Sequence, residues 1–130
     1  MKKILVIGAG RSAVTLIKYL LDNSIANNWL VTVADFSIEL AEKAVANHTN
    51  GKAILFNVTD EIQRKSEIGN ADIVISMLPA SLHITVAKDC ISLAKNLVTA
   101  SYVSPEIADL DEKAKQAGVL LLNEIGLDPG

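Results

Sequence analysis

The sequence predicts an α/β protein built on a doubly wound parallel sheet of six strands in the order 3-2-1-4-5-6. Three observations carry this prediction. Short apolar runs alternate with longer segments of helical periodicity along the 130-residue chain. The runs are unbroken and rich in β-branched residues, as expected of strands covered on both faces. A glycine-rich turn joins the first run to the first helical segment.

The predicted strands are six apolar runs at residues 3–7, 30–34, 53–57, 72–78, 97–100 and 119–122. The segments between them are predicted to be helices at 11–23, 37–48, 59–69, 81–96 and 104–118. The expected N-caps of the last four are Ser37, Asp60, Ser81 and Ser104. Pro105 at the first helical position and Gly118 at the end mark the last helix most clearly.

The composition of the chain limits its function. Hydrophobic residues make up 50% of it and the mean hydropathy is +0.33, which fits a sheet buried on both faces or a surface that meets a further domain. The net charge is −3 and no basic run occurs, which argues against nucleic-acid binding. No stretch approaches the ~20 apolar residues of a membrane span. Gly8 and Arg11 interrupt the N-terminal apolar run too early for a signal peptide.

The first chemical motif is the turn after strand one, Gly8-x-Gly10-x-x-Ala13. Gly8 permits a tight turn, Gly10 lets a pyrophosphate approach the backbone, and Ala13 allows close packing of helix and strand. The helix then offers free N–H groups and a positive dipole end to phosphates. Arg11 beside the loop contacts phosphate or is simply solvated. In its context the motif predicts a dinucleotide-binding Rossmann domain, the alternative being a turn that only connects two elements.

Asp35 ends strand two about 25 residues beyond Gly10, near the ~20 expected for the acid that binds the adenosine ribose hydroxyls. Its carboxylate also repels a 2′-phosphate, and Phe36 follows where NADP-binding proteins usually have an arginine. We therefore predict NAD rather than NADP as the favoured cofactor. The alternative for Asp35 is an ordinary surface acid. Phe36 either lines the adenine pocket or is a surface hydrophobe that awaits a partner.

Two further strand ends complete the predicted crevice, because ligands of such sheets bind beyond the carboxyl ends of the strands. Asn57 and Val58, at the end of strand three, are expected near the adenine, with a purely structural role as the alternative. Residues 77–81 run from the end of strand four into the loop after it and are expected to lie beside the nicotinamide ribose.

The segments "SMLPASLH" (76–83), "ASYVSP" (100–105) and "NEIGLDPG" (123–130) resemble the saccharopine dehydrogenase family, in particular its glutamate-forming reductases and their bacterial relatives. The resemblance runs from Met1 to Gly130. Members of that family condense a carbonyl with an amine and reduce the resulting imine with a nicotinamide hydride. The resemblance therefore implies an NAD(P)-dependent oxidoreductase that acts on a C–N bond of an amino acid.

The resemblance also implies roles for single residues. Ser101 and Tyr102 would touch both cofactor and amino-acid substrate, and Asp128 would meet the substrate's amino group or assist proton transfer. Tyr102 and Asp128 are the candidate catalytic residues, since imine reduction needs a proton donor and a carboxylate near the iminium. The alternatives are a half-buried structural tyrosine and an ordinary Asp-Pro-Gly turn. The implied nucleotide contacts are Ala9, Gly10, Arg11, Ser12, Asp35, Phe36, Ser37, Asn57, Val58, Leu78, Pro79, Ala80, Ser81, Ala100 and Ser101.

The chain departs from the family pattern at the end of strand two. NADP-using members often carry "CRT" there, and this chain has "DFS" at 35–37, which agrees with the prediction of NAD. Ala100 stands where a threonine is common, a minor difference.

The resemblance further implies a catalytic and dimerising domain after residue 130. We therefore expect residues 1–130 to be one dinucleotide-binding domain, inactive alone, of a cytoplasmic homodimer with a small amine or amino-acid substrate. The rival is a nucleotide-sensing module such as a domain of a potassium-uptake regulator, which would share the glycine loop and Asp35 but not "SYVSP" or "LDPG". An S-adenosylmethionine-dependent methyltransferase fits the glycine spacing less well.

The remaining reactive side chains are expected to be structural. Cys90, the one cysteine, cannot form an internal disulfide, fits a reducing compartment and is predicted to be buried. His48 is expected to be exposed. His83 is expected to lie on the packed face of helix four. The alternative is a functional contact at the crevice. No set of His, Cys and carboxylate residues has metal-ligand spacing, so no metal is expected.

Overall fold

The computed structural model describes residues 2–78, 80–99 and 121–122, in which parallel strands alternate with helices. The elements in chain order are β1 (Lys2–Ile7), α1 (Arg11–Asn27), β2 (Trp29–Asp35), α2 (Ile38–Val45), β3 (Gly51–Leu55), α3 (Glu61–Gly69), β4 (Ile73–Ser76), α4 (Ala80–Ser92), β5 (Asn96–Thr99) and β6 (Leu121–Leu122). The six strands form one parallel sheet in the order β3-β2-β1-β4-β5-β6. The predicted class and strand order are confirmed. The predicted helix at 104–118 lies outside the described residues.

Successive residues of β1 point to opposite faces of the sheet, and helices cover both faces. Ile4 and Val6 pack in a cluster with residues of α1 and α2. Leu5 and Ile7 pack in a second cluster with residues of α3 and α4. A strand buried on both sides has no position for an exposed polar residue, which explains the unbroken apolar runs. The edge strand β3 differs, since Lys52 and Leu55 are exposed there.

The starts of two helices follow their predicted caps. The Ser37 Oγ accepts a hydrogen bond from the Leu40 N–H (3.4 Å) at the start of α2. The Asp60 carboxylate accepts one from the Gln63 N–H (3.1 Å) at the start of α3. The prediction for α4 is wrong, because the helix already includes Ala80 and Ser81 therefore lies inside it rather than at its cap.

Two helices end earlier than predicted, because an alanine takes the left-handed conformation. Ala46 has φ 51° after α2, and Ala94 has φ 57° after α4. The chain reverses there, and the Lys95 N–H donates to the Cys90 carbonyl (2.7 Å), which satisfies an open end of α4. Glycine usually marks such a helix end, and its absence made both helices too long in the prediction.

The strand β3 lies two residues earlier than predicted, because Asn57 leaves the ladder. Its N–H donates to the Gln63 side-chain oxygen (3.1 Å) instead of to a neighbouring strand. Its own side-chain oxygen accepts from the Thr59 N–H (3.0 Å) and the Thr59 hydroxyl (2.7 Å). The polar residues that close the apolar run thus form a turn, and β3 ends at Leu55.

Across residues 2–78 and 80–99, no helix combines the length and apolar character that crossing a lipid bilayer requires.

The buried face of α1 offers a test of the core. Ile17 is fully buried, whereas Ile25 on the same helix is 68% exposed. Ile17→Ala is expected to lower the free energy of unfolding by about 2–5 kcal/mol, because it leaves a cavity between α1 and the sheet. Ile25→Ala is expected to change it by less than about 0.5 kcal/mol. Urea denaturation followed by circular dichroism measures both, and equal losses would contradict this packing.

Cys90 is fully buried, as predicted. Burial raises the pKa of its thiol to about 12, so the reactive thiolate is scarce at neutral pH. We expect the native chain to react with an aromatic disulfide reagent only as fast as it unfolds, and the chain in concentrated guanidinium to react at once. Fast labelling of the native chain would show that α4 does not protect this residue.

Candidate functional site

The turn between β1 and α1 depends on a glycine. Gly8 has φ +106°, a conformation that residues with a side chain rarely adopt, and an added Cβ would lie 3.3 Å from backbone atoms of Met77. The Gly8 N–H donates to the Ala34 carbonyl (2.7 Å), and the Met77 N–H donates to the Ile7 carbonyl (2.8 Å). The chain thus leaves β1 between the ends of β2 and β4, where the strand order reverses. Ligands of doubly wound sheets bind at this point.

Gly10 precedes α1 and leaves open space above the helix. It takes φ −70° and ψ −179°, and no side-chain hydrogen bond caps the 17-residue helix. Nothing lies within 4 Å of the place where its Cβ would stand. This open space lies beside the start of α1, where free N–H groups and the positive end of the helix dipole favour a phosphate group. Ala13 is buried against the sheet, which agrees with the packing role of the motif's third position.

Asp35 joins three backbone segments at the end of β2. One carboxylate oxygen accepts a hydrogen bond from the Ala9 N–H (2.8 Å), and the other accepts one from the Ser37 N–H (2.8 Å). The carboxylate thereby ties the glycine loop to the start of α2. Each oxygen keeps a further lone pair, so ribose hydroxyls can still donate to it. Sequence reasoning missed this tether, because nothing in the sequence links Asp35 to a backbone N–H 26 positions away.

A cleft of about 280 Å³ opens at the carboxyl ends of the strands. Six of the residues predicted for cofactor binding lie together in its lining: Gly8, Asp35, Phe36, Asn57, Val58 and Leu78. The lining also contains Ile7, Ala34, Phe56, Thr59 and Leu82, which sequence reasoning did not assign to the site. Phe56 offered a signal, since it is an aromatic residue at the very end of an apolar run.

The cleft has the character of a pocket for a flat base. Phe56 is buried at its floor, and Phe36 is 80% exposed at its edge. Phe36 thus lines the cleft and also exposes an apolar ring, so its place in an adenine pocket stays a prediction. No lysine or arginine is found among the described residues of the lining. The cleft thus offers aromatic surface and one carboxylate, a combination suited to an adenosine.

The other predicted site residues are described less fully or not at all. Ser37 caps α2 and donates its N–H to Asp35, but it does not line the cleft. The backbones of Arg11 and Ser12 form the first turn of α1, and those of Ala80 and Ser81 the first turn of α4. The side chains of these four residues are not described. Pro79, Ala100, Ser101, Tyr102 and Asp128 lie outside the described residues.

A second cleft, of about 300 Å³, lies at the opposite edge of the sheet. Its lining includes Lys3, Leu30, Lys52 and Asn70, from the amino ends of strands and the end of α3. Because ligands of such sheets bind at the carboxyl ends of the strands, this cleft is not the candidate site. Within the described ranges, no group of three His, Cys, Asp or Glu side chains could hold a metal ion.

The prediction of an exposed His48 is wrong, since the residue is half-buried. Its Nδ1 accepts a hydrogen bond from the Asn50 N–H (3.0 Å) in the turn between α2 and β3. A turn packed against the sheet explains the burial, and the role is structural. The side chain of His83 is not described.

The sequence model of the saccharopine dehydrogenase NADP binding domain matches residues 4–122. The chain belongs to the saccharopine dehydrogenase family. This confirms the resemblance based on the three segments and the expectation of a nicotinamide dinucleotide, NAD or NADP, as cofactor. The open space at Gly10 and the cleft beside Asp35 fit such a molecule. The match gives no support to the alternative of a nucleotide-sensing regulator.

Individual relatives agree with this assignment. The chain is 40% identical over 129 residues to a saccharopine dehydrogenase [NADP(+), L-glutamate-forming] from Pyricularia oryzae, covering 99% of this chain and 28% of that protein. It is 45% identical over 100 residues to an α-aminoadipic semialdehyde synthase from Arabidopsis thaliana, covering 77% of this chain and 9% of that protein. The solved structure of apo saccharopine dehydrogenase (L-Glu forming) from Saccharomyces cerevisiae superposes with a TM-score of 0.89 at 35% identity, covering all of this chain and 28% of that one. The chain therefore spans less than a third of the length of these relatives.

The conformation of Gly8 leads to a prediction. Gly8→Ala is expected to destabilise the chain by about 1–3 kcal/mol, because alanine is strained at this φ and its methyl group would press on Met77. The matched control is Gly69→Ala, since Gly69 ends α3 with nothing within 4 Å of its Cβ position. That control is expected to be neutral or stabilising by up to about 1 kcal/mol. Thermal unfolding compares the two, and similar losses would refute the special role of Gly8.

Proposed function

We propose that residues 1–130 are the coenzyme-binding domain of an oxidoreductase that transfers a hydride at a C–N bond of an amino acid, and that its preferred coenzyme is NAD. One observation carries the preference. The Asp35 carboxylate lies in the lining of the cleft, held by the N–H groups of Ala9 and Ser37. In this position it meets the ribose of a bound adenosine.

Electrostatics favours NAD over NADP at this carboxylate. The two ribose hydroxyls of NAD donate to Asp35, whereas the 2′-phosphate of NADP brings a second negative charge to the same place. The described lining contains no lysine or arginine to offset that charge. The family's sequence model and the Pyricularia relative carry NADP in their names, so this chain would depart from them in coenzyme choice. A tenfold preference for NAD over NADP corresponds to a difference in binding free energy of about 1.4 kcal/mol, which one carboxylate can supply.

The greater length of the relatives supports a further domain in the whole protein, and their names support a reaction on an amino acid. We place a substrate-binding and dimerising domain C-terminal to these residues, in a cytoplasmic homodimer that acts on an amine or amino acid. Tyr102 is proposed to donate a proton to the substrate nitrogen, and Asp128 to bind the iminium. Both residues would complete their site only with the second domain, so residues 1–130 alone are expected to bind coenzyme without turnover.

The test is calorimetric titration of the 130-residue chain with NADH and NADPH. NADH is expected to bind at least about tenfold more tightly than NADPH. Asp35→Asn removes the charge and is expected to reduce the ratio of the two dissociation constants to about threefold or less. The control Asp22→Asn removes the same charge from an exposed residue of α1, which pairs with Lys18 (3.6 Å), and is expected to leave the ratio unchanged.

The titration separates the two parts of the proposal. Absence of binding of either coenzyme at millimolar concentration would refute the coenzyme-binding role of this chain. Tighter binding of NADPH than of NADH would refute only the choice of NAD, as would an unchanged ratio in Asp35→Asn.

A further inference from the structure

Two charged side chains are buried between α3 and α4, and the coenzyme-binding role gives them no direct task. Arg64 is 8% exposed and Asp89 is 6% exposed. The Arg64 Nε–H donates to Asp89 Oδ2. A second donor of the same guanidinium, Nη1, bonds the carbonyl oxygen of Val58 at 2.7 Å. Val58 itself lines the cleft.

We propose that Arg64 is a positioning residue for the adenine side of the cleft, which it acts on through the Val58 carbonyl while Asp89 holds its guanidinium in place. The inference rests on the proposed function, because it assigns a task to residues behind the coenzyme site. Neither charge touches the cleft, since neither residue is part of its lining. The effect on a ligand is therefore carried by the backbone of Val58.

The energetics of buried ion pairs point to a role in geometry rather than stability. Removing two charges from water offsets most of their attraction, and a well-packed apolar pair of similar size is often as stable. An arginine held between a carboxylate and a carbonyl supplies something an apolar pair lacks, which is two donors in a fixed planar arrangement. In this chain the Nε–H donates to Asp89 on α4, and Nη1 donates to the Val58 carbonyl in the cleft lining.

The contacts around residues 56–59 show what holds this part of the cleft lining in place. Residues 56–59 all line the cleft. Phe56 still donates its N–H to the Asp35 carbonyl of β2 (2.8 Å), whereas residues 57–59 leave the sheet and form a turn. On the solvent side the turn is held by Gln63, which accepts from the Asn57 N–H (3.1 Å) and donates to the Leu55 carbonyl (2.8 Å). These contacts are exposed to solvent. The Arg64 contact is the partly buried one, and it alone among them ties the turn to α4 through Asp89.

The experiment compares Arg64→Met with the double variant Arg64→Met/Asp89→Leu in the 130-residue chain. The single variant leaves the Asp89 carboxylate buried without its partner, so its melting temperature is expected to fall. The double variant removes both charges, and its melting temperature is expected to return to within about 5 °C of the parent. Both variants lose the donor to Val58, so both are expected to bind NADH about five- to tenfold more weakly.

A second ligand separates positioning from general loosening. Adenosine monophosphate fills only the adenine side, and its dissociation constant is expected to rise by the same factor as that of NADH. The matched control is Lys65→Met, which removes the neighbouring cation of α3. The exposed ion pair of Lys65 with Glu61 (2.7 Å) does not reach the cleft, so no change in affinity is expected.

Each outcome decides the inference. A double variant with restored stability and the NADH affinity of the parent would overturn it. A loss for NADH without a loss for adenosine monophosphate would overturn it as well.

Should the double variant not fold, Arg64→Lys keeps a cation opposite Asp89 but offers one ammonium for two separated acceptors. A dissociation constant raised at least about threefold then supports the inference, and a parent-like value refutes it. If the parent chain binds no NADH, the proposed function itself fails, and the inference falls with it.

Discussion

The site depends on one carboxylate that is bonded to the backbone on two sides. Asp35 receives the N–H of Ala9 from the glycine loop and the N–H of Ser37 from the start of α2. These bonds are charge-assisted, and they connect segments that no strand pairing holds. The open space at Gly10 and the edge of the cleft keep their relative position because this residue lies between them. A residue known in such folds for binding ribose thus also builds the loop that receives the phosphates.

The site is formed in two layers of interaction. The first layer is the lining of the cleft, with its aromatic residues Phe36 and Phe56 and the carboxylate of Asp35. The second layer fixes the backbone behind that lining, through Met77 against Gly8 and through Arg64 against Val58. Only residues of the first layer can contact a ligand, but the second layer determines the position of the backbone that carries them. Changes in coenzyme affinity within this fold therefore need not arise from residues that contact the coenzyme.

Much of the fold could be predicted from local sequence signals. The order of the strands follows from parallel runs joined by helices, and the caps Ser37 and Asp60 follow from short-range hydrogen bonding. The errors arose where tertiary structure overrules local preference. Ala46 and Ala94 end helices without glycine, and Asn57 leaves β3 because Gln63 takes up its N–H. Likewise, the glycine motif and Asp35 indicated the site, whereas the tether to Ala9 and the bond from Arg64 to Val58 join residues that no sequence pattern relates.

The alanines that end α2 and α4 have a consequence for engineering. An alanine held at positive φ stores backbone strain of roughly 1–2 kcal/mol, which a glycine at the same place would not carry. Both Ala46 and Ala94 lie at helix ends away from the lining of the cleft. Replacing these two alanines with glycine would relieve that strain without altering the binding surface. These two positions are therefore starting points for engineering a more thermostable coenzyme-binding domain.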